Sequence, residues 1–135
     1  MLRKKFSFIL PVIFLVVPLI AVAQHGPRGK WWYTPQIQKN LNLNQNEIGK
    51  LDQLFANSRP NLIKLKTEVE REQFELDQLL SKKKVDDADV KKQFQKLEQA
   101  RKNLSNARLD FVIGVRNILG AERFQQLKSN FQKWQ

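Results

Sequence analysis

A chain of 135 residues with no cysteine and a formal net charge of +11 has room for one domain and excludes disulfide frameworks and thiolate chemistry. Its single methionine is Met1, which leaves the rest of the chain without soft thioether ligands for copper. Twenty-four Lys and Arg against 13 Asp and Glu favour acidic partners: unfolded acidic segments, anionic membrane surfaces or nucleic acid.

Residues 1–23 read as an export signal. Arg3, Lys4 and Lys5 form a positive n-region, Phe6 to Ile20 an apolar stretch, and Ala21-Val22-Ala23 the small-x-small pattern that places cleavage before Gln24. The competing reading is an uncleaved anchor, because a span needs about 20 apolar residues. Pro11 and Pro18 interrupt the stretch and favour cleavage. Loss of the three basic residues leaves a formal +8 on residues 24–135, and export argues against nucleic acid as the partner.

From Gln24 to Tyr33 the sequence is glycine, proline, basic and aromatic residues without a helical period, which predicts a flexible lead-in to a helical domain over 34–135. Thr34-Pro35 has the form of an N-cap followed by proline at the first helical position, predicting a short helix to about Asn40. Leu41-Asn42-Leu43-Asn44 ends it. Asn44 with Glu47 three residues on forms a capping box and starts the first long helix.

In that helix Leu51, Phe55, Ser58, Leu62, Leu65, Val69, Glu72, Leu76 and Leu79 keep a four-three spacing that puts one stripe against a partner helix. Pro60 predicts a kink or break. Lys82-Lys83-Lys84 is read as closing the helix at its negative pole, and Asp86 with Asp87 and Asp89 as opening the next with the matching sign. Val90, Phe94, Leu97, Arg101, Leu104, Arg108, Phe111, Val115 and Ile118 form the second seam. Folding back at residues 82–88 sets Leu76 against Phe94, Leu65 against Leu104 and Phe55 against Val115, an antiparallel hairpin with arms roughly 50 Å long. After Gly120 a last helix carries Phe124, Leu127, Phe131 and Trp134. Phe74, Leu80, Leu109, Val112, Ile113 and Leu119 lie off the seams and need cover, which predicts packing by the short helices and a homodimer.

This layout resembles the Spy/CpxP family of periplasmic proteins, whose members carry two LTxxQ-type motifs. The first corresponds to Leu43-Asn44-Gln45-Asn46-Glu47 and the second to Leu119-Gly120-Ala121-Glu122-Arg123. Asn44 and Gly120 stand where the family has Thr, and Glu47 and Arg123 where it has Gln. The resemblance extends from Leu41 to Leu127. It implies a periplasmic, all-α, cradle-shaped antiparallel dimer with a basic concave face. It also implies an ATP-independent chaperone, or a stress-response regulator acting on a membrane sensor kinase. A related branch, the zinc-resistance and metal-sensor proteins, binds metal.

The residues themselves offer a binding surface. Lys50, Arg59, Lys64, Lys66, Arg71, Arg116, Arg123 and Lys128 are the cations from which a client-binding face would be drawn, with Ile48, Leu51, Phe55 and Ile118 as its apolar candidates. Arg101 and Arg108 occupy seam positions, and the expected register sets Glu68 opposite Arg101 with Glu72 one turn away, predicting a structural ion pair. Trp31, Trp32 and Tyr33 beside Lys30 form either a client or membrane-interface contact or a segment folded back onto the hairpin. His25 stands alone and does not make a metal site. Asn103-Leu104-Ser105 is a sequon inside a helix. No nucleophile elbow, placed histidine or phosphate loop points to an enzyme or a cofactor. The expected function is a periplasmic holdase for unfolded or misfolded proteins, with a kinase-docking regulator and a heavy-metal sensor as alternatives, and any membrane contact peripheral.

Overall fold

The computed structural model describes residues 29–132. The expected signal segment, His25, most of the lead-in and Trp134 lie outside the described residues. Among those described there are a 3-10 turn, Trp31–Tyr33, and four α-helices: α1 Pro35–Leu41, α2 Gln45–Leu80, α3 Asp87–Leu119 and α4 Ala121–Gln132. The fold is all-α, a long antiparallel hairpin of α2 and α3 flanked by short helices.

Local chemistry sets the boundaries. Pro35 occupies the first turn of α1, where its missing N–H has no partner to lose. Asn42 ends α1 in the left-handed region, φ 50°, and Leu43 N–H donates back to Gln38 O at 3.0 Å, the six-to-one bond of a Schellman turn. The capping box opens α2: Glu47 N–H donates to Asn44 Oδ1 at 2.8 Å and Asn44 N–H to Glu47 Oε2 at 3.2 Å. Asp86 caps α3 by accepting from Ala88 N–H at 2.9 Å. Gly120 joins α3 to α4 at φ 82°, a conformation an L side chain rarely adopts.

Of the kink or break expected at Pro60 the break does not occur, and the expected role of the three lysines changes. Helix α2 runs unbroken through Pro60. Pro60 and Ala56 are both exposed, so water can hydrate the carbonyl that loses its N–H partner. The three lysines do not close α2. The helix ends at Leu80 with no basic residue in its last turn, and Ser81 takes the capping role, its Oγ donating to Asp77 O at 2.8 Å.

The seam of α2 is as expected: each of its nine positions is at least half-buried. The seam of α3 is displaced by one residue at three of its nine positions. Phe94, Arg101 and Arg108 are exposed, while Gln93, Ala100 and Ala107, one residue earlier in each case, turn inward. Gly114 continues that stripe, and a Cβ there would lie 2.8 Å from both methyls of Leu54. Small residues every seventh position let the two helices approach closely, and an arginine there would bury an unpaired charge.

The main core lies at one end of the hairpin. Trp32, Ile37, Leu41, Ile48, Leu51, Val115, Leu119 and Leu127 form one buried cluster, contributed by the 3-10 turn and all four helices. Trp31, Phe55, Phe111, Ile118 and Phe124 pack around it. Leu119 thus finds the cover it needs. Beyond this base only α2 and α3 continue, with Leu76, Leu97, Ala100 and Leu104 buried between them.

Candidate binding surface and its supports

Three polar centres hold the surface in place. In the first, Arg123 donates to both carboxylate oxygens of Glu47, at 2.5 and 2.9 Å, and also to Leu119 O at 2.9 Å and Leu41 O at 3.4 Å. One guanidinium therefore joins the ends of α1 and α3 to the start of α2. Arg123 beside Glu47 holds its carboxyl below the ordinary range, the Asn44 N–H reinforcing the shift, and Glu47 in turn raises the Arg123 pKa. These are the fifth residues of the two motifs, so both departures from glutamine answer one another as a charge pair.

The second centre, Asp52, carried no signal in the sequence beyond being one carboxylate on a mixed-charge helix. It accepts from Trp32 Nε1 at 3.0 Å, from Lys30 Nζ at 3.1 Å and from the Tyr33 hydroxyl. Three donors lower its pKa, the Tyr33 bond most, and Asp52 raises that of the Tyr33 hydroxyl. The aromatic segment is folded back onto the hairpin: Trp32 is fully buried and meets Phe55 edge-on at 5.7 Å, and Trp31 meets Phe131 at 6.5 Å. The end of the expected flexible lead-in is therefore docked.

The third lies in the outer arm. Gln93 Nε2 donates to Glu72 Oε2 at 2.7 Å and to Glu72 O at 3.1 Å. That bond is the leading cause of a lowered Glu72 pKa, with Arg71 second. The expected pair of Arg101 with Glu68 or Glu72 does not form. Because Arg101 sits outside the seam, it bonds Glu98 at 2.6 Å on its own helix and Gln73 Oε1 at 3.1 Å across the hairpin.

The expected client-binding residues divide. Lys50, Arg59, Lys64, Lys66, Arg71, Arg116 and Lys128 are exposed, whereas Arg123 is held by Glu47. Helical spacing puts Lys50, Lys64 and Arg71 along one flank of α2 and Arg59 with Lys66 along the other, so a single protomer does not gather them on one face. The apolar candidates are a correction: Ile48 and Leu51 are buried, and Phe55 and Ile118 half-buried, all in the base core, because the aromatic segment and the short helices cover them. The apolar side chains that meet solvent lie elsewhere: Ile63, 54% exposed, Phe74, 59%, and Leu109, 55%, with Phe94, Val112 and Ile113. Leu109, Val112 and Ile113 share one outer face of α3, and Arg116 follows one turn on. Their off-seam positions signalled this in the sequence.

Among the described residues no group of three or more His, Cys, Asp or Glu is placed to hold a metal ion. The hairpin exposes both cations and large apolar side chains. Residues 11–126 match the family described as heavy-metal resistance, and the chain belongs to that family, one of the Spy/CpxP-like helical proteins with LTxxQ motifs. The family is not enzymatic. No curated protein and no solved structure matched the chain.

Proposed function

We propose that this protein is exported to the periplasm and acts there as an ATP-independent holdase for unfolded or misfolded envelope proteins. The observation that supports this most is the string of large apolar side chains left in solvent along the outer arm, among them Phe74 and Leu109, on a chain whose charge is strongly positive. Cations attract acidic unfolded segments through a weak, screened field, and the neighbouring apolar groups give brief contact with exposed hydrophobic stretches. A homodimer, expected from the sequence, would unite cations that one protomer keeps on separate flanks.

The deciding experiment mixes the mature chain with a chemically denatured, unrelated client and follows light scattering. A holdase suppresses aggregation near stoichiometric dose. No suppression, with binding to a sensor-kinase periplasmic domain instead, would favour the regulatory reading. The family's description supports a heavy-metal role as well, which calorimetry with zinc, nickel and copper addresses: saturable binding by the mature chain would move the assignment there.

A further inference from the structure

We propose that the base of the hairpin is a peptide-binding seat, occupied in cis by the segment from Gly29 to Tyr33, and that when this segment lifts away the seat takes a polypeptide segment of the same chemistry, aromatic and positively charged. The seat is separate from the apolar surface of the outer arm and does not depend on the holdase reading.

The segment sits as a bound ligand would. Trp32 is the anchor, fully buried in the core cluster and 5.7 Å from the Phe55 ring. Gly29 lies so close that a Cβ there would stand 3.2 Å from the same ring. Lys30 Nζ is 5.6 Å from the centre of the Phe55 ring and 3.1 Å from Asp52 Oδ1. A buried aromatic anchor oriented by a few polar contacts is a common basis of peptide recognition.

The attachments are few. Among the described residues the backbone bonds of the segment are those of its own turn, Tyr33 N–H to Lys30 O at 3.2 Å and Thr34 N–H to Trp31 O at 3.0 Å, and Trp32 O accepts from Gln38 Nε2 of the adjoining α1 at 2.7 Å. Its hydrogen bonds to the hairpin all end on one side chain: Lys30, Trp32 and Tyr33 donate to Asp52. That side chain is 32% exposed, within reach of water. A segment tied to the hairpin by side chains alone can lift without breaking a helix, and such local openings need less free energy than global unfolding.

The chemistry of the seat names its occupant. Asp52 offers a carboxylate beside the apolar Phe55 and Leu51, which suits a cation next to aromatic rings and disfavours an acidic segment. Arg59 also stands over Phe55, at 5.7 Å, so the preference for a cation comes from the direct bond to Asp52 and not from the field of the whole chain, which is positive. A segment of the same chain is present at high effective concentration, and a free peptide competes only once that segment is weakened.

The test is fluorescence anisotropy with a labelled peptide that has the sequence of residues 29–34. The mature chain should bind it weakly. Lys30→Gln with Trp32→Ala weakens the cis segment, leaves the seat intact and should bind at least about tenfold more tightly; unlabelled peptide should also raise the thermal midpoint of that variant. Adding Asp52→Asn should remove most of the gain, since a charge-assisted bond is worth on the order of tenfold or more. The peptide carrying Lys30→Glu should lose a similar factor. If Trp32→Ala loses helical circular dichroism, Lys30→Gln with Tyr33→Phe keeps both tryptophans and should show a severalfold gain. A helical variant with no gain in affinity, binding indifferent to Asp52→Asn, or equal binding of the Lys30→Glu peptide would overturn the proposal. Client aggregation enters none of these measurements, so either reading can fail without the other.

Discussion

The base and the outer arm of the hairpin are built from the same two helices yet stand in different physical situations. At the base a 3-10 turn, α1 and α4 surround the helix pair, and side chains such as Trp32 and Leu51 lose all contact with water. In the arm each helix has one neighbour, so only the seam is buried and Phe74, Phe94 and Leu109 remain in solvent. The polar supports follow the same division. Glu47–Arg123 and Asp52 tie several elements together at the base, whereas Gln93 and Glu72 join just two helices. The buried core is therefore concentrated at one end and exposed apolar surface along the rest.

The largest expected difference comes from truncating one aromatic in each region. Trp32→Ala should cost about 3–5 kcal/mol, while Phe74→Ala should cost about 0.5 kcal/mol or less, both read from urea unfolding followed by circular dichroism. A similar cost at the two sites would abolish the contrast. Conversely, Phe74→Ser with Leu109→Ser should weaken client capture in the light-scattering assay at unchanged stability.

Next in size is the charge clasp. Glu47→Gln keeps the side chain's length and removes its charge, and should cost about 1–2 kcal/mol, because Arg123 is left half-buried with a neutral partner. Arg123→Gln restores the glutamine pair of the family pattern and should recover part of that loss in the double variant. Equal and additive losses would show that the two residues do not act as a unit.

Acid sharpens the comparison further. Glu47 and Asp52 have ordinary values of 4.5 and 3.8 and lower ones in the fold. A depressed folded pKa means the stabilisation is complete above the ordinary value and is lost as pH falls through the depressed one. On acidification tryptophan fluorescence, reporting Trp32 beside Asp52, should change before the helical circular dichroism of the arms. Simultaneous loss would mean that base and arm unfold together.

The smallest effects come from two glycines in helices. A methyl added at Gly49 would meet nothing within 4 Å, and the position is exposed, so Gly49→Ala should stabilise by about 0.5–1 kcal/mol. Gly114→Ala gains the same helix propensity but pushes against Leu54, and should be neutral to destabilising by about 1–2 kcal/mol. Thermal midpoints of the two variants should move in opposite directions, or only that of Gly49→Ala should rise.

Local pattern carried much of this. The N-caps at Asn44 and Asp86, the start at Pro35 and the stop at Gly120 depend on a few adjacent residues, and each is where the sequence places it. The seam of α2 depends on one periodicity of large apolar side chains and was equally legible. The seam of α3 was legible only in part: Leu97, Leu104 and Val115 face inward as expected, but Gln93, Ala100 and Ala107 carry too little apolar bulk to announce a buried face, and the larger Phe94, Arg101 and Arg108 beside them draw the pattern one residue away. The covering of the expected apolar contacts was hidden for a related reason. Ile48, Leu51 and Phe55 are apolar at the right spacing, and nothing local reveals that Trp32 will cover them.

By itself, then, the amino-acid order determined the helices, their caps, the reversal near residues 82–88 and the excess of positive charge, since all of these arise from neighbours within a turn or two. Only the tertiary structure decided that the two motifs close through Glu47 and Arg123, that Asp52 gathers three donors, and which hydrophobic residues stay in water. Those outcomes rest on contacts between residues as many as 82 positions apart, and distance along the chain gives no periodicity from which to read them.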